Sequence, residues 1–185
     1  RAGDEPFIGP SNGGLTGLLE IPTARVLPED RYRFGFTQVR PYRYYRGTVG
    51  LFDRLEVNGS FNEITGVKSE KTGNNLKDKE FDLKFQFVKE GKYLPALAIA
   101  IYDPHGTRIY ASQSIVASKQ VYPFDFTLGM GNGRFGKKPL PEQGEGFKME
   151  IFSNPKTWWR DAQLFGGIQF APADWLILMA EYSPI

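Results

Sequence analysis

The chain has 185 residues, enough for one domain with its own hydrophobic core. Its 23 Lys and Arg residues nearly balance 21 Asp and Glu residues, and the net charge of +2 gives no basis for nucleic-acid binding. The sequence holds no Cys, which excludes disulfides, thiolate zinc sites and cysteine nucleophiles from this chain.

The first elements are an extended stretch and two predicted strands. Residues 1–14 are rich in Gly, Pro, Asp and Asn, which predicts an extended leader. Residues 15–26 are predicted to form a strand broken at Pro22. An aromatic alternation over 32–45 predicts the next strand, with the aromatic residues at 32, 34, 36, 42 and 44 on one parity. Pro41 is expected to end or bulge that strand, because proline cannot donate a ladder hydrogen bond.

The central region repeats a two-residue alternation without a helical interlude. The clearest strand follows a charged loop at 66–79, and in it Leu83, Phe85 and Phe87 share one face. Lys84 and Gln86 fall on the other face, since side chains alternate with a period of two. The strand predicted at 93–102 has small residues on one parity, which suits a crowded interior wall. Strands are predicted here at 48–52, 55–64, 81–89, 93–102, 109–119 and 122–131.

The C-terminal part combines a long loop with two strands. Residues 132–162 are rich in Gly, Pro and charge and are predicted to form a long loop. Within it, Asn154 as the cap and Pro155 at the first position predict the start of a helix. Strands are predicted at 164–171 and 175–182. Strand starts spaced by about 10–20 residues are typical of an up-and-down antiparallel meander.

These patterns predict an all-β chain, with residues 15–185 forming an antiparallel up-and-down membrane β-barrel, or part of one, of about 8–10 strands. The same alternation is also typical of a soluble barrel or sandwich, so the environment of the apolar face decides the function. No stretch approaches the roughly 20 apolar residues of a membrane helix. A secretory signal is expected to have been removed, and the last strand has no closing partner after it, so a longer polypeptide is expected.

No motif in the sequence points to catalysis. The glycines of 129–136 have the spacing of a nucleotide loop, but Lys137-Lys138-Pro139 follows where a helix N-terminus is required. His105 lies in a turn. Four carboxylates on polar parities could supply the acid pair of a glycosidase: Glu56, Glu63, Asp82 and Asp125. The sequence alone does not show that any two of them lie close together. We expect no catalytic residue, metal ligand or cofactor.

Seven residues are candidates for contacts with a polysaccharide in a barrel interior: Arg33, Arg40, Arg43, Lys84, Gln86, Trp158 and Trp159. The basic residues could line a channel for an anionic polymer, or could belong to a solvated sheet face. The two tryptophans could stack on a sugar ring, anchor a helix at a lipid headgroup layer or cap a barrel mouth. The residues leave these options open.

A series of stretches resembles the YjbH/GfcD family of Gram-negative exopolysaccharide and group 4 capsule proteins. They follow the family order along almost the whole chain: Gly13–Gly17, Ile21–Val26, Asp53–Val57, Lys77–Phe85, Asp103–Thr107, Ile115–Lys119, Phe124–Gly131 and Ala180–Ser183.

The resemblance implies an outer-membrane β-barrel that takes part in polymer secretion as a passive conduit or organiser, without catalysis. Family members are usually longer and many are lipoproteins, so the chain is expected to be the first portion of a barrel. The implied partners are outer-membrane lipid, exopolysaccharide and other export-machinery proteins. Two alternatives stay open: a general porin or structural barrel, and a soluble β-sandwich that binds or cleaves glycans.

Overall fold

A computed structural model of the chain describes residues 7–68, 75–105, 108–141 and 146–185. This part of the chain contains nine strands, two short α-helices and a one-turn 3-10 helix at Phe52–Arg54. In chain order the strands and α-helices are β1 Tyr32–Val39, β2 Tyr42–Leu51, β3 Leu55–Lys68, β4 Asn75–Val88, β5 Ala96–Tyr102, β6 Ser112–Val121, β7 Phe124–Gly136, α1 Glu150–Ser153, α2 Pro155–Asp161, β8 Ala162–Ala173 and β9 Leu176–Tyr182.

All nine strands belong to one antiparallel sheet whose spatial order is the chain order. Each strand pairs with the next one, and within the described residues β1 and β9 each have a single neighbour. The sheet is therefore open at both edges. The prediction of an all-β, up-and-down antiparallel fold with about 8–10 strands is confirmed.

The prediction of a strand over 15–26 is wrong. The chain there makes only isolated bridges, between Pro10 and Thr16 and between Gly17 and Pro22. Its backbone bonds to side chains of the sheet instead, as where Thr16 N donates to Glu56 Oε1 over 2.7 Å. Contacts with distant residues take the place of a strand ladder.

The aromatic run at 32–45 forms two strands, because the chain turns back at Arg40 and Pro41. Pro41 ends the first strand, as expected. Across this turn Phe36 pairs with Tyr45, so Tyr44 points to the opposite side of the sheet from Phe36. The shared parity of these aromatics does not place them on one face, because a two-residue turn reverses the relation between parity and face.

The two faces of the sheet differ sharply in polarity. We call the side that carries Phe85 the outer face and the side that carries Lys84 the inner face. Cross-strand pairing builds a continuous apolar row on the outer face from Leu55, Phe85, Ile99, Ile115, Met130 and Leu164. The adjoining inner row is buried and consists of Glu56, Lys84, Ala100, Ser114 and Gly131.

The sheet curls around residues 7–31, which we call the N-terminal segment. A flat sheet of nine strands would hold β1 and β9 about 38 Å apart, at about 4.8 Å per strand. Arg33 on β1 donates to Thr16 Oγ1 (2.8 Å), and Glu181 on β9 accepts from Leu19 N (2.9 Å). Thr16 and Leu19 lie at most about 11 Å apart. The side chains of Arg33 and Glu181 are too short to span the remainder of a separation of about 38 Å between β1 and β9. The inner face is therefore concave.

The connection between β7 and β8 contains the helix that the sequence predicts. β7 continues to Gly136, and α2 begins at Pro155 with the Asn154 side chain accepting from Thr157 N (3.4 Å). The predicted helix start is confirmed. Among the described residues, no helix is long and apolar enough to cross a membrane.

Candidate functional site

The N-terminal segment fills the concavity with apolar side chains at every third position. Leu15, Leu18, Ile21 and Ala24 are fully or almost fully buried. They form one cluster with side chains of β5, β6, β7 and β8: Ala96, Ala98, Ala100, Tyr102, Val116, Phe135 and Phe165. The small parity of β5 thus faces the N-terminal segment, which confirms the prediction of a crowded interior wall. Burial of this cluster stabilises the segment on the sheet.

Glu56 is the centre of a buried charge cluster between β3 and the N-terminal segment. Its Oε1 accepts from Arg33 Nη2 at 2.8 Å, and its Oε2 lies 3.0 Å from Lys84 Nζ. Thr16 and Leu27 donate backbone N–H groups to the same carboxylate, at 2.7 and 3.3 Å. Lys84 also donates to Thr16 O at 2.6 Å. The cluster therefore fixes the segment to three strands, with Glu56 and Lys84 removed from water and Arg33 partly buried.

Arg25 makes a second cluster near the turns at the start of β5 and β7. Its guanidinium contacts Asp125 Oδ1 at 2.5 Å and Glu90 Oε2 at 2.6 Å, and both Arg25 and Asp125 are buried. Lys119 Nζ lies 3.0 Å from Glu90 Oε1. Partial burial opposes ionisation of Glu90, but the Lys119 hydrogen bond and the Arg25 charge outweigh burial and lower the pKa of that carboxyl.

Close backbone approach completes the fit of the segment. Glu181 on β9 accepts from the backbone N–H groups of Leu19 and Glu20, both at 2.9 Å. At Gly50 on β2 the carbonyls of Leu27 and Pro28 pass so near that a Cβ would clash with them. Glycine is required there by space alone, since a side chain would push the segment off the inner face.

A cavity of about 820 Å³ lies beside this segment. We call it the vestibule. Its walls come from the inner faces of β1–β4, from residues near the ends of β7 and β9, and from Tyr110 in the β5–β6 connection. Asn12, Gly13 and Glu20 of the N-terminal segment also line it. The N-terminal segment thus forms one boundary of the vestibule.

Three of the predicted polysaccharide contacts bind the N-terminal segment. Arg33 donates to Ile8 O (2.5 Å), and Lys84 is fully buried against Glu56 and Thr16. Gln86 donates to Ala24 O over 2.8 Å. The polar parity of β4 therefore faces the interior as expected, but the expected wet surface at these two positions is wrong, because the chain itself covers them.

The other four candidates form two separate pairs, one at the β1–β2 hairpin and one in α2. Arg40 is exposed in the β1–β2 turn, and Arg43 contacts Glu63 Oε2 at 3.5 Å. Trp158 is buried in α2, with Trp159 exposed beside it in an edge-to-face contact of 5.3 Å between ring centroids. The structure does not gather these residues into one site.

Several residues of the interior are not predicted from the sequence. Thr16 and Arg25 lie in a stretch predicted as a strand, and Tyr44, Arg46 and Tyr110 were not selected as a group. The available signal was Arg46, a charged residue on the parity that Tyr42 and Tyr44 share within β2. Among the described residues, no group of three or more His, Cys, Asp or Glu side chains could hold a metal ion.

Comparison with known families matches residues 10–185 to the YjbH family, described as exopolysaccharide biosynthesis protein YbjH. The chain is also similar to an uncharacterized lipoprotein, YjbH, of Escherichia coli. The two are 33% identical over 197 aligned positions, which cover 95% of this chain and 28% of that protein. The chain thus spans under a third of the length of this relative. No solved structure shows significant similarity to it.

Proposed function

Because the chain belongs to the YjbH family of exopolysaccharide biosynthesis proteins, we propose that it forms part of an outer-membrane β-barrel that takes part in exopolysaccharide or capsule secretion. In this proposal the protein acts passively, as a conduit or organiser, with outer-membrane lipid, the polymer and other export-machinery proteins as partners. The name of the E. coli relative, a lipoprotein of a Gram-negative bacterium, supports a location in the cell envelope.

The observation that carries the proposal is the inverted polarity of the sheet. On the outer face Phe34 is 83% exposed, Leu128 63% and Phe85 49%, whereas Glu56 and Lys84 on the inner face are fully buried. A water-soluble sheet would hide the apolar side and wet the polar side. Exposed apolar surface of this extent indicates a lipid or protein environment, and a lipid-facing barrel has this arrangement.

Strand length and the open edges support a spanning barrel. Six of the nine strands have 10–14 residues, and β1, β5 and β9 have 7 or 8. A membrane-crossing strand needs about 9–11 residues, and ordinary strands average about 5–6. Since unpaired backbone groups cannot face lipid, the edges at β1 and β9 require further strands, which in this proposal come from the rest of a longer polypeptide.

The strand connections suggest an orientation. The connections at one end contain 2, 6, 9 and 25 residues, and those at the other end contain 3, 7, 2 and 2. The first set is 40–41, 69–74, 103–111 and 137–161, and the second is 52–54, 89–95, 122–123 and 174–175. Outer-membrane barrels have short periplasmic turns and long outward loops. The vestibule, which includes Tyr42, Tyr110 and Arg134, lies at the long-loop end and would open toward the cell surface.

Gene deletion in a polymer-producing Gram-negative strain tests the proposed role. We expect the amount of polymer at the cell surface and in the medium to fall severalfold, while polymer made inside the cell persists. The full-length gene should restore export. Unchanged export with altered uptake of small solutes would contradict the secretion role and favour a general porin.

A further inference from the structure

We infer that the vestibule is a binding site for a neutral, hydroxyl-rich sugar segment. The inference rests on the proposed role in polysaccharide secretion and adds to it a site and a class of ligand. The cavity volume of about 820 Å³ falls within the range of about 300–1,000 Å³ that is usual for ligand sites.

Aromatic rings supply the apolar part of the site. Tyr42 and Tyr44 both project from β2 into the vestibule, with ring centroids 5.9 Å apart and planes inclined by 12°. Tyr110 lines the cavity from the β5–β6 connection. Tyrosine offers a flat apolar face together with a polar hydroxyl, which suits the C–H faces of sugar rings and their hydroxyl rims.

Arg46 supplies donors that the protein leaves unused. Its guanidinium lies over the Tyr44 ring, 4.7 Å from the centroid. Within the part of the chain that the structure describes, the Arg46 guanidinium makes no ion pair or hydrogen bond, although it lines the cavity. The Oδ1 atom of Asn62 is buried in the same wall and has no donor among the described residues. A ligand with both donors and acceptors would satisfy the two groups.

The charge around the cavity favours a neutral ligand over an acidic one. Glu20, Glu80 and Glu181 line it together with Arg46 and Arg134, so the lining carries no excess of positive charge. Arg134 is already paired with Glu20. A polyanion would find no net positive charge to hold it, whereas sugar hydroxyls donate to carboxylates and accept from guanidinium groups.

Oligosaccharide titration of the purified full-length protein in detergent tests the inference. The probes are cellohexaose and maltohexaose as neutral chains, with hexagalacturonate as an acidic chain of equal length. We expect at least one neutral hexamer to bind more tightly than hexagalacturonate. Replacement of Tyr44→Ala or Arg46→Ala should weaken that binding by about tenfold or more. Phe36→Ala, on the outer face of β1, is the matched control and should leave it unchanged.

Three results would overturn the inference. They are no binding of either neutral hexamer up to about 10 mM, tighter binding of hexagalacturonate than of both neutral hexamers, or Tyr44 and Arg46 variants that bind the neutral hexamer as tightly as the unsubstituted protein. Folding of each variant is checked by the electrophoretic shift between heated and unheated samples. None of these results bears on the lipid contacts of the outer face, so the barrel proposal would stand or fall separately.

Discussion

Glu56→Ala is expected to destabilise the protein by about 3–5 kcal/mol, the cost of breaking a buried ion pair from one side. Lys84 would be left in a fully buried position without its carboxylate partner. Thr16 N and Leu27 N would also lose their acceptor. Denaturant unfolding of the full-length protein in detergent micelles measures the change in the free energy of unfolding.

Glu63→Ala is the matched control for this substitution, because Glu63 lies on the same strand but faces outward. Its carboxylate contacts Arg43 at 3.5 Å and Asn75 Nδ2 at 2.9 Å near the end of β3. This pair is partly exposed, and ion pairs near the protein surface contribute about 0–1 kcal/mol. Equal losses from the Glu56 and Glu63 variants would contradict the account of the N-terminal segment as held by a buried charge cluster.

Phe85→Arg is expected to destabilise the protein in a bilayer by about 1–4 kcal/mol, the cost of a basic residue on the lipid-facing side of a barrel between the interface and the midplane. Phe85 is 49% exposed and belongs to the continuous apolar row of the outer face. The guanidinium would replace an apolar ring where no water can solvate it. Unfolding from lipid vesicles, with folded protein quantified by electrophoretic mobility, measures the loss.

The control for Phe85→Arg is the same replacement in a turn. Phe52 is 71% exposed and lies between β2 and β3, outside the strands. Phe52→Arg should change stability by about 0–1 kcal/mol, as at the membrane interface. If the outer face lay in water, the free energy of unfolding of the Phe85→Arg variant would lie within about 0.5 kcal/mol of that of the unsubstituted protein, as is usual for surface substitutions.

The sheet could be predicted from the sequence because its faces differ in polarity with a period of two. In β4, Phe85 and Phe87 alternate with Lys84 and Gln86, and that pattern fixes both the strand and its outward side. The cap at Asn154 was equally readable, since its role depends on neighbouring residues. Both features could be predicted because they depend on residues that are near each other in the sequence.

The N-terminal segment could not be predicted in the same way. Its apolar residues recur at every third position, a spacing that matches neither a strand nor an α-helix. Its conformation also depends on acceptors far along the chain. Glu56 and Glu181 satisfy its backbone N–H groups, and no local signal in 15–26 announces those partners. The vestibule escaped prediction for a similar reason, because Tyr44 and Arg134 are distant in sequence and meet only when the sheet curls.

Site-directed spin labelling at positions 83, 85 and 87 of the full-length protein in lipid vesicles tests the central claim most directly. Labels at 52 and 44 serve as references in a turn and in the vestibule. If the outer face meets lipid, oxygen dissolved in the bilayer should relax the labels at 83, 85 and 87, and a water-soluble nickel chelate should relax those at 52 and 44. Labels at 83, 85 and 87 that respond to the nickel chelate, or to neither agent, would contradict a membrane-spanning sheet.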